Sequence, residues 1–319
     1  MFRLGPLVVT SGISALLCIP AGAQYMGGTA GSTTAASQVF NTKEHISFDR
    51  PEAWGLKYFG SISLLGGLPA PALPEAAHFG SVSLGVELDW LPQLNPGQQF
   101  IGFNGTAPED LNKAPIFARP VLRVGLPDKF TAVVAPTPPM ELFGVHSRLV
   151  ALALERPLIE RGNWTLGWRG YGQVGSITGA FTCPTGVLPF PPGSPQNLTN
   201  CVYQSQDRAI LHYAGSEFEF SYRLPHHPKL IPHAAVAGTF MDLAFQTHAP
   251  VAAGLDETRL WTRGGTFATS GGITYLFSKR VAFTVDAFYS PLWVTRAAGS
   301  PRTNDGLFNV RALLSYSFR

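Results

Sequence analysis

The chain has 319 residues and a net charge of +3, with 13% of residues charged and 45% hydrophobic. A typical globular chain is roughly 25% charged, so the polar surface is thin, and a charge this small excludes a role built on a basic nucleic-acid-binding face. Thirty-four glycines and 27 prolines mark many turns.

The first stretch is MFRLGPLVVTSGISALLCIPAGAQ. Arg3 is a charged start, Leu4 to Ile19 is apolar, and Ala21-Gly22-Ala23 is a small-x-small site. Residues 1–23 therefore read as a cleavable secretory signal peptide, with a short membrane anchor as the alternative. Cys18 follows Leu16-Leu17, where a lipoprotein signal would want small residues. Residues 24–50 are small and polar and read as a flexible leader. After Ala23 no apolar run approaches the ~20 residues of a spanning helix. A membrane location would then require a barrel.

The segment 51–78 opens PEAWGLKYFGSISLL, directly after Arg50. Pro51 and Glu52 suit a first helical turn, with Asp49 as the cap. Trp54, Tyr58, Ile62 and Leu65 would share a face. The reading is a helix or plug-like segment lying in or under a barrel. The rival is a further strand, with an unrecognised partner before residue 50.

From residue 79 to 319 strand signals recur. SVSLGVELDW puts Val82, Leu84, Val86, Leu88 and Trp90 on one face and Glu87 and Asp89 on the other. IFARPVLRVGL, from Ile116, sets Arg119 and Arg123 against Leu122 and Val124. After a PDK turn come FTAVVA, from Phe130, and FGVHSRLVALAL, from Phe143, whose facing is ambiguous. WTLGWRGYGQVGSIT opposes Trp164, Leu166, Trp168 and Val174 to Arg169, Tyr171 and Gln173. GSEFEFSYRL opposes Phe218, Phe220 and Tyr222 to Glu217, Glu219 and Arg223. Then follow HAAVAGTFMDLAFQ, TFATSGGITYLF and VAFTVDAFYSPLWV, the last with Asp286 facing away from Tyr289 and Trp293. FNVRALLSYSF ends the series, with Arg311 opposite Val310, Tyr316 and Phe318.

Alternation alone suits a soluble sandwich as well as a membrane barrel. Two features favour the barrel. The polar face carries charge in mid-strand, at Arg123, Arg169, Glu219, Asp286 and Arg311. The apolar face carries Trp90, Trp164, Tyr222, Tyr289 and Trp293 near strand ends, where aromatic girdles meet headgroups. Counting back from the C-terminus puts long loops at one end and most short turns, ERPLIERG among them, at the other. The fold expected is an all-β, antiparallel transmembrane β-barrel of ten strands, alternatively twelve, with a small N-terminal helical or irregular segment.

A cleavable signal, alternating strands, short turns alternating with long loops, and a closing strand ALLSYSFR together resemble bacterial outer-membrane β-barrel proteins. The resemblance covers residues 80–319 and concerns architecture. It implies an outer-membrane location, contact with outer-membrane lipid and recognition of a C-terminal signal, Tyr316 and Phe318, by the barrel-assembly machinery. In that class the closing strand ends on Phe, whereas here Arg319 follows Phe318.

Cys183 and Cys201 bracket a loop rich in Pro, Gly and Asn, and in an oxidising compartment a surface-exposed disulfide is expected. GYGQVG, Gly170 to Gly175, matches G-x-G-x-x-G but lies inside a strand, without the following helix that dinucleotide binding needs. The histidines show no metal spacing, so no metal or cofactor is expected. His146-Ser147 invites comparison with lipid hydrolases, but adjacent strand residues point to opposite faces and cannot pair. The charged residues expected to face the lumen are Glu87, Asp89, Arg119, Arg123, Arg169, Glu217, Glu219, Arg223, Asp286 and Arg311. They read either as a pore lining that passes small hydrophilic solutes or as a salt-bridged filling. The leading function is a narrow porin-like channel. The alternatives are a non-conducting barrel with partner-binding outer loops and a lipid hydrolase.

Overall fold

Ten strands pair in chain order, each antiparallel to the next, and the last pairs with the first. A computed structural model of the chain describes residues 38–66, 79–297 and 299–318. The expected signal peptide 1–23, the leader as far as residue 37 and the segment 67–78 lie outside the described residues. The strands are β1 (Val82–Trp90), β2 (Ile116–Gly125), β3 (Thr131–Pro136), β4 (Val145–Arg161) and β5 (Trp164–Gly179). They continue as β6 (Asp207–Tyr222), β7 (Leu230–Gln246), β8 (Arg259–Leu276), β9 (Val281–Ser290) and β10 (Leu307–Ser317). The β5–β4 and β10–β1 ladders close the ring, so no edge strand is left open. The wall has ten strands, not twelve.

The pleat sorts the side chains as the alternation demands. Along β1, Leu84, Val86, Leu88 and Trp90 are 46–56% exposed on the outer face, while Glu87 and Asp89 are fully buried inside. β4, ambiguous in sequence, turns Leu149, Ala151, Ala153 and Glu155 inward and Val150, Leu152 and Leu154 outward. The outer face carries an apolar belt, including Phe218, Phe220, Val236, Phe267, Ile273, Val285, Val310 and Leu314.

The two ends differ. Short turns at Pro127–Lys129, 162–163, 223–229 and 277–280 close one end, and connections 91–115, 137–144, 180–206, 247–258 and 291–306 build the other. ERPLIERG is strand up to Arg161, and only Gly162 and Asn163 turn. The charged run mimics a loop, but the ladder to β5 continues through it, although the inward alternation Ala151-Ala153-Glu155 ends near Pro157. The ring is uneven in height. β8 pairs with β9 only over Thr269–Leu276, so its first half rises beyond the wall. There the outward residues turn polar, and His212, Asp242 and Arg263 form one rung across β6, β7 and β8. The apolar belt ends at that level on this side.

The expected leader is anchored from residue 38 onward. Gln38–Phe40 pairs with Gly254–Asp256 and Lys43–His45 with Arg259–Trp261, both parallel. The rising edge of β8 offers unpaired backbone groups, and this segment satisfies them. Helix α1 (Pro51–Ile62) follows directly. Its N-cap is Arg50, with no side-chain cap. The expected cap, Asp49, instead pairs with Arg302.

Candidate functional site

Helix α1 runs into the barrel from the long-loop end. Ten strands spaced ~4.8 Å apart and tilted about 40° enclose a ring roughly 20 Å across between backbones. A helix with side chains needs about 10–12 Å, so one helix and one layer of wall side chains fill the ring. The burial agrees: Pro51 to Ile62 is buried all round except at Phe59, and not only on the Trp54–Tyr58–Ile62 face expected from sequence. The loops hold its upper half. Trp54 Nε1 donates to Asp305 O at 2.9 Å and Lys57 Nζ to Trp293 O at 2.6 Å. Burial pushes the Lys57 ammonium down to about 8.

The helix ends in the middle of the barrel, where its last carbonyls have no partner within the helix and carry the negative end of its dipole. Three arginines from three strands converge on the segment 63–66 that leaves the helix, and one of them also reaches Ser61 O in its last turn. Arg119 Nη1 donates to Ser63 O at 2.9 Å and Nη2 to Leu64 O at 3.3 Å. Arg169 Nη1 donates to Leu65 O at 3.0 Å. Arg311 Nη1 donates to Leu64 O and Gly66 O, both at 2.9 Å, and Nη2 to Ser61 O at 3.1 Å. The Tyr213 hydroxyl donates to Ser63 O at 2.7 Å and accepts from Leu65 N at 3.0 Å. Gln173 Nε2 reaches Ser63 Oγ at 2.9 Å.

Strand register supplies the counter-charges, because cross-strand neighbours on one face sit side by side. Glu87 stands opposite Arg119, and their side chains meet at 2.5 Å. Arg169 lies between Glu155 and Glu217, at 2.9 and 3.0 Å. Arg311 lies between Asp89 and Asp286 in the ladder, with Asp89 at 3.9 Å. Arg123 is 4.0 Å from Glu155. Glu219 is buried on the same inner face of β6, and Asp286 bonds His233 Nε2.

Nine of the ten charged residues expected inside are thus buried there, facing α1 or one another. Arg223 is the exception. It lies beyond the end of β6 at the short-turn end, half-buried, because the strand stops at Tyr222. The sequence pattern does not single out Glu155, Tyr213 and His233, whereas Gln173 falls on the polar face with Arg169 and Tyr171. Glu155 opens the charged run ERPLIERG, which reads as a turn, and Tyr213 precedes Gly215, where the clear alternation of β6 begins. In GYGQVG the tight fit is local: a Cβ at Gly215 would come within 2.5 Å of the Tyr171 ring, so that glycine seats the tyrosine.

The remaining expected residues fall as follows. Trp164 and Tyr222 are ladder partners at the short-turn end. Trp90 and Tyr289 close the long-loop ends of β1 and β9, and Trp293 lies just beyond. Tyr316 and Phe318 pack edge to face on the outside, and Phe318 N bonds Val82 O across the seam. Cys183 and Cys201 are bonded. They are buried rather than surface-exposed, because the loop folds over them and packs them on Ala249 and Val251. His146 faces Glu141 and His248 faces Glu257, while His233 has Asp286 and the Ile231 carbonyl as ring partners. Among the described residues there is no group of three metal-binding side chains.

The chain is a closed ten-strand antiparallel β-barrel. No family model matches it, and no curated protein does. Solved structures similar to it include the outer membrane protease OmpT from Escherichia coli, at 9% identity and TM-score 0.38, covering 75% of this chain and 94% of that one. Another is Ail, the attachment invasion locus protein of Yersinia pestis, at 10% identity and TM-score 0.30, covering 76% and 100%. A third is the Pseudomonas putida toluene transporter TodX, at 11% identity and TM-score 0.30, covering 80% and 72%.

Proposed function

We propose that this chain is an outer-membrane barrel closed by its own N-terminal helix, with its long-loop end facing outward and its lumen shut to ions and hydrophilic solutes. The observation that carries this reading is the set of arginine contacts to Ser61 O at the end of α1 and to the carbonyls of residues 63–66 that follow it. Arg119, Arg169 and Arg311 are each at most 1% exposed. Each spends guanidinium donors on the chain at or just past the helix end and meets a carboxylate through the strand register. A lining built to conduct would keep its charges in water. These guanidinium groups are taken up by the chain at the helix end and by neighbouring carboxylates, and the ring is too narrow for a helix and a water path side by side. The function left for such a barrel lies in its outer loops and the cavities beneath them, supported by a membrane-anchored frame.

Planar-bilayer recording on the purified full-length protein tests this. The expected result is silence in protein whose gel mobility shifts on heating and which fractionates with the outer membrane. Steady channels in the unaltered protein would overturn the closed-barrel reading, and recovery as a soluble periplasmic protein would overturn the location.

A further inference from the structure

Beside α1, under the long loops, lies a cavity of about 250 Å³. Its walls are mostly apolar, with Phe59, Phe181, Phe245 and Leu260 among them. An apolar cavity of roughly 150 Å³ already accepts benzene, so this one has room for a ligand with a small hydrocarbon body.

The polar part of the lining is acidic. Glu44 and Glu52 are both matched by Arg50, whose guanidinium reaches Glu44 at 2.6 Å and Glu52 at 2.7 Å, and Glu52 also accepts from Asn104 N. Asp256 accepts only from Thr258 N among the bonds seen, at 2.9 Å. Glu109 stands apart. It is 8% exposed, its Oε2 atom is buried without a hydrogen bond, and the charges acting on it are Asp207, Asp256 and Glu52, all acidic. The neighbouring Thr182 hydroxyl is the polar side chain that favours its ionised form. Burying a carboxylate costs free energy unless it is paired, and no described cation pairs with this one.

We propose that this cavity binds a small amphipathic ammonium ion, with its charged head on Glu109 and its hydrocarbon body against the phenylalanines. The ammonium supplies the missing partner, and aromatic faces attract a cation electrostatically. A hydrated metal ion fits less well, since apolar walls cannot replace its water shell. A neutral apolar molecule would leave Glu109 unpaired. The site does not need the lumen to be open or shut, and it lies outside the arginine contacts.

Binding is coupled to a proton. Burial, with Asp207 next in effect, pushes Glu109 up to about 8, while contact with Thr182 lowers it and Asp256 and Glu52 raise it further. Arg50, the cation on this wall, is already engaged by Glu44 and Glu52. Below pH 8 the ammonium must displace one proton from Glu109. Affinity then rises by up to about tenfold per pH unit from pH 6 to 8 and levels above.

Calorimetry on the full-length protein in detergent or nanodiscs tests the site at pH 8. The probes are 2-phenylethylammonium and hexylammonium, with 2-phenylethanol as the uncharged control. The ammonium ions should bind at least tenfold more tightly than the alcohol. Glu109→Gln should weaken ammonium binding roughly ten- to a hundredfold and leave the alcohol unchanged. Gly102→Ala keeps the carboxylate but puts a Cβ 2.6 Å from Glu109 Oε1, displacing it, and should also weaken the ammonium ions selectively. Folding of each variant is checked by its heat-modifiable mobility. Equal affinity for amine and alcohol, no heat from either amine, or undiminished amine binding in both variants would overturn the proposal.

Discussion

Arg311→Met removes one of the three guanidinium groups that hold α1 and leaves a side chain of similar length. Three donor contacts to Leu64, Gly66 and Ser61 carbonyls disappear, as does the cation over the Phe288 ring at 3.7 Å. Asp89, fully buried, loses the base opposite it. Hydrogen bonds from a charged donor contribute about 1.5–3 kcal/mol each, but they share one side chain and do not add. Leaving a buried charge without its partner costs about 3–5 kcal/mol, and that range is the expectation here. The assay is urea unfolding of the protein refolded in phospholipid vesicles, followed by tryptophan fluorescence. Adding Asp89→Asn to Arg311→Met should recover at least about 1 kcal/mol, because the carboxylate left behind is the larger part of the damage. As a control, Arg263→Met removes an exposed pair with Asp242 on the outer rung and should change nothing measurable. A loss below about 1 kcal/mol in Arg311→Met, or a further loss on adding Asp89→Asn, would refute the reasoning.

Val86→Arg places a charge on the outer apolar belt and should cost about 2–4 kcal/mol in vesicles if that belt is in lipid; an unaffected unfolding midpoint would contradict it. Glu109 is protonated more readily in the folded chain than in the unfolded one. Its contribution is therefore full below about pH 4.5 and is lost as pH rises toward 8, with a limiting slope of about 1.4 kcal/mol per pH unit. The difference in stability between wild type and Glu109→Gln should vary across this window, and a constant difference would contradict the shift. Cys183 and Cys201 should resist thiol labelling without reductant, and replacing both by Ser should cost up to about 3 kcal/mol, confined to the loop. The measurement is proteolysis of the 183–201 loop against heat-modifiable mobility of the barrel, which should stay unchanged.

Much of the wall was legible in the sequence because a half-lipid, half-interior strand leaves a period of two in every segment. β1 shows it most plainly, with Glu87 and Asp89 alternating against Leu84, Val86 and Leu88. That pattern places a charge on the inner face but not beside a partner. Arg119 meets Glu87, and Arg169 meets Glu155, only through register, which the sequence does not spell out. The role of α1 was half legible. Pro51 and Glu52 announce a helix start, but burial on every side comes from the barrel around it. The contact between Arg311 and Gly66 joins parts of the chain brought together only by closing the ring. Glu109 was hidden for a different reason. It sits in a Pro-rich connection without periodicity, and its isolation follows from which loops fold over it.

The central claim is that α1 occupies the lumen, and a cross-link between helix and wall tests it most directly. Ser61 Oγ and Ser290 Oγ lie 3.4 Å apart, both fully buried, one at the end of α1 and the other on β9. Ser61→Cys with Ser290→Cys, oxidised in the native membrane and read by mass spectrometry of the joined peptides, should give a near-quantitative bond that neither single variant forms. Such a locked protein should remain heat-modifiable and silent in planar bilayers. Failure of the pair to cross-link in folded, membrane-inserted protein would contradict a helix seated inside the barrel.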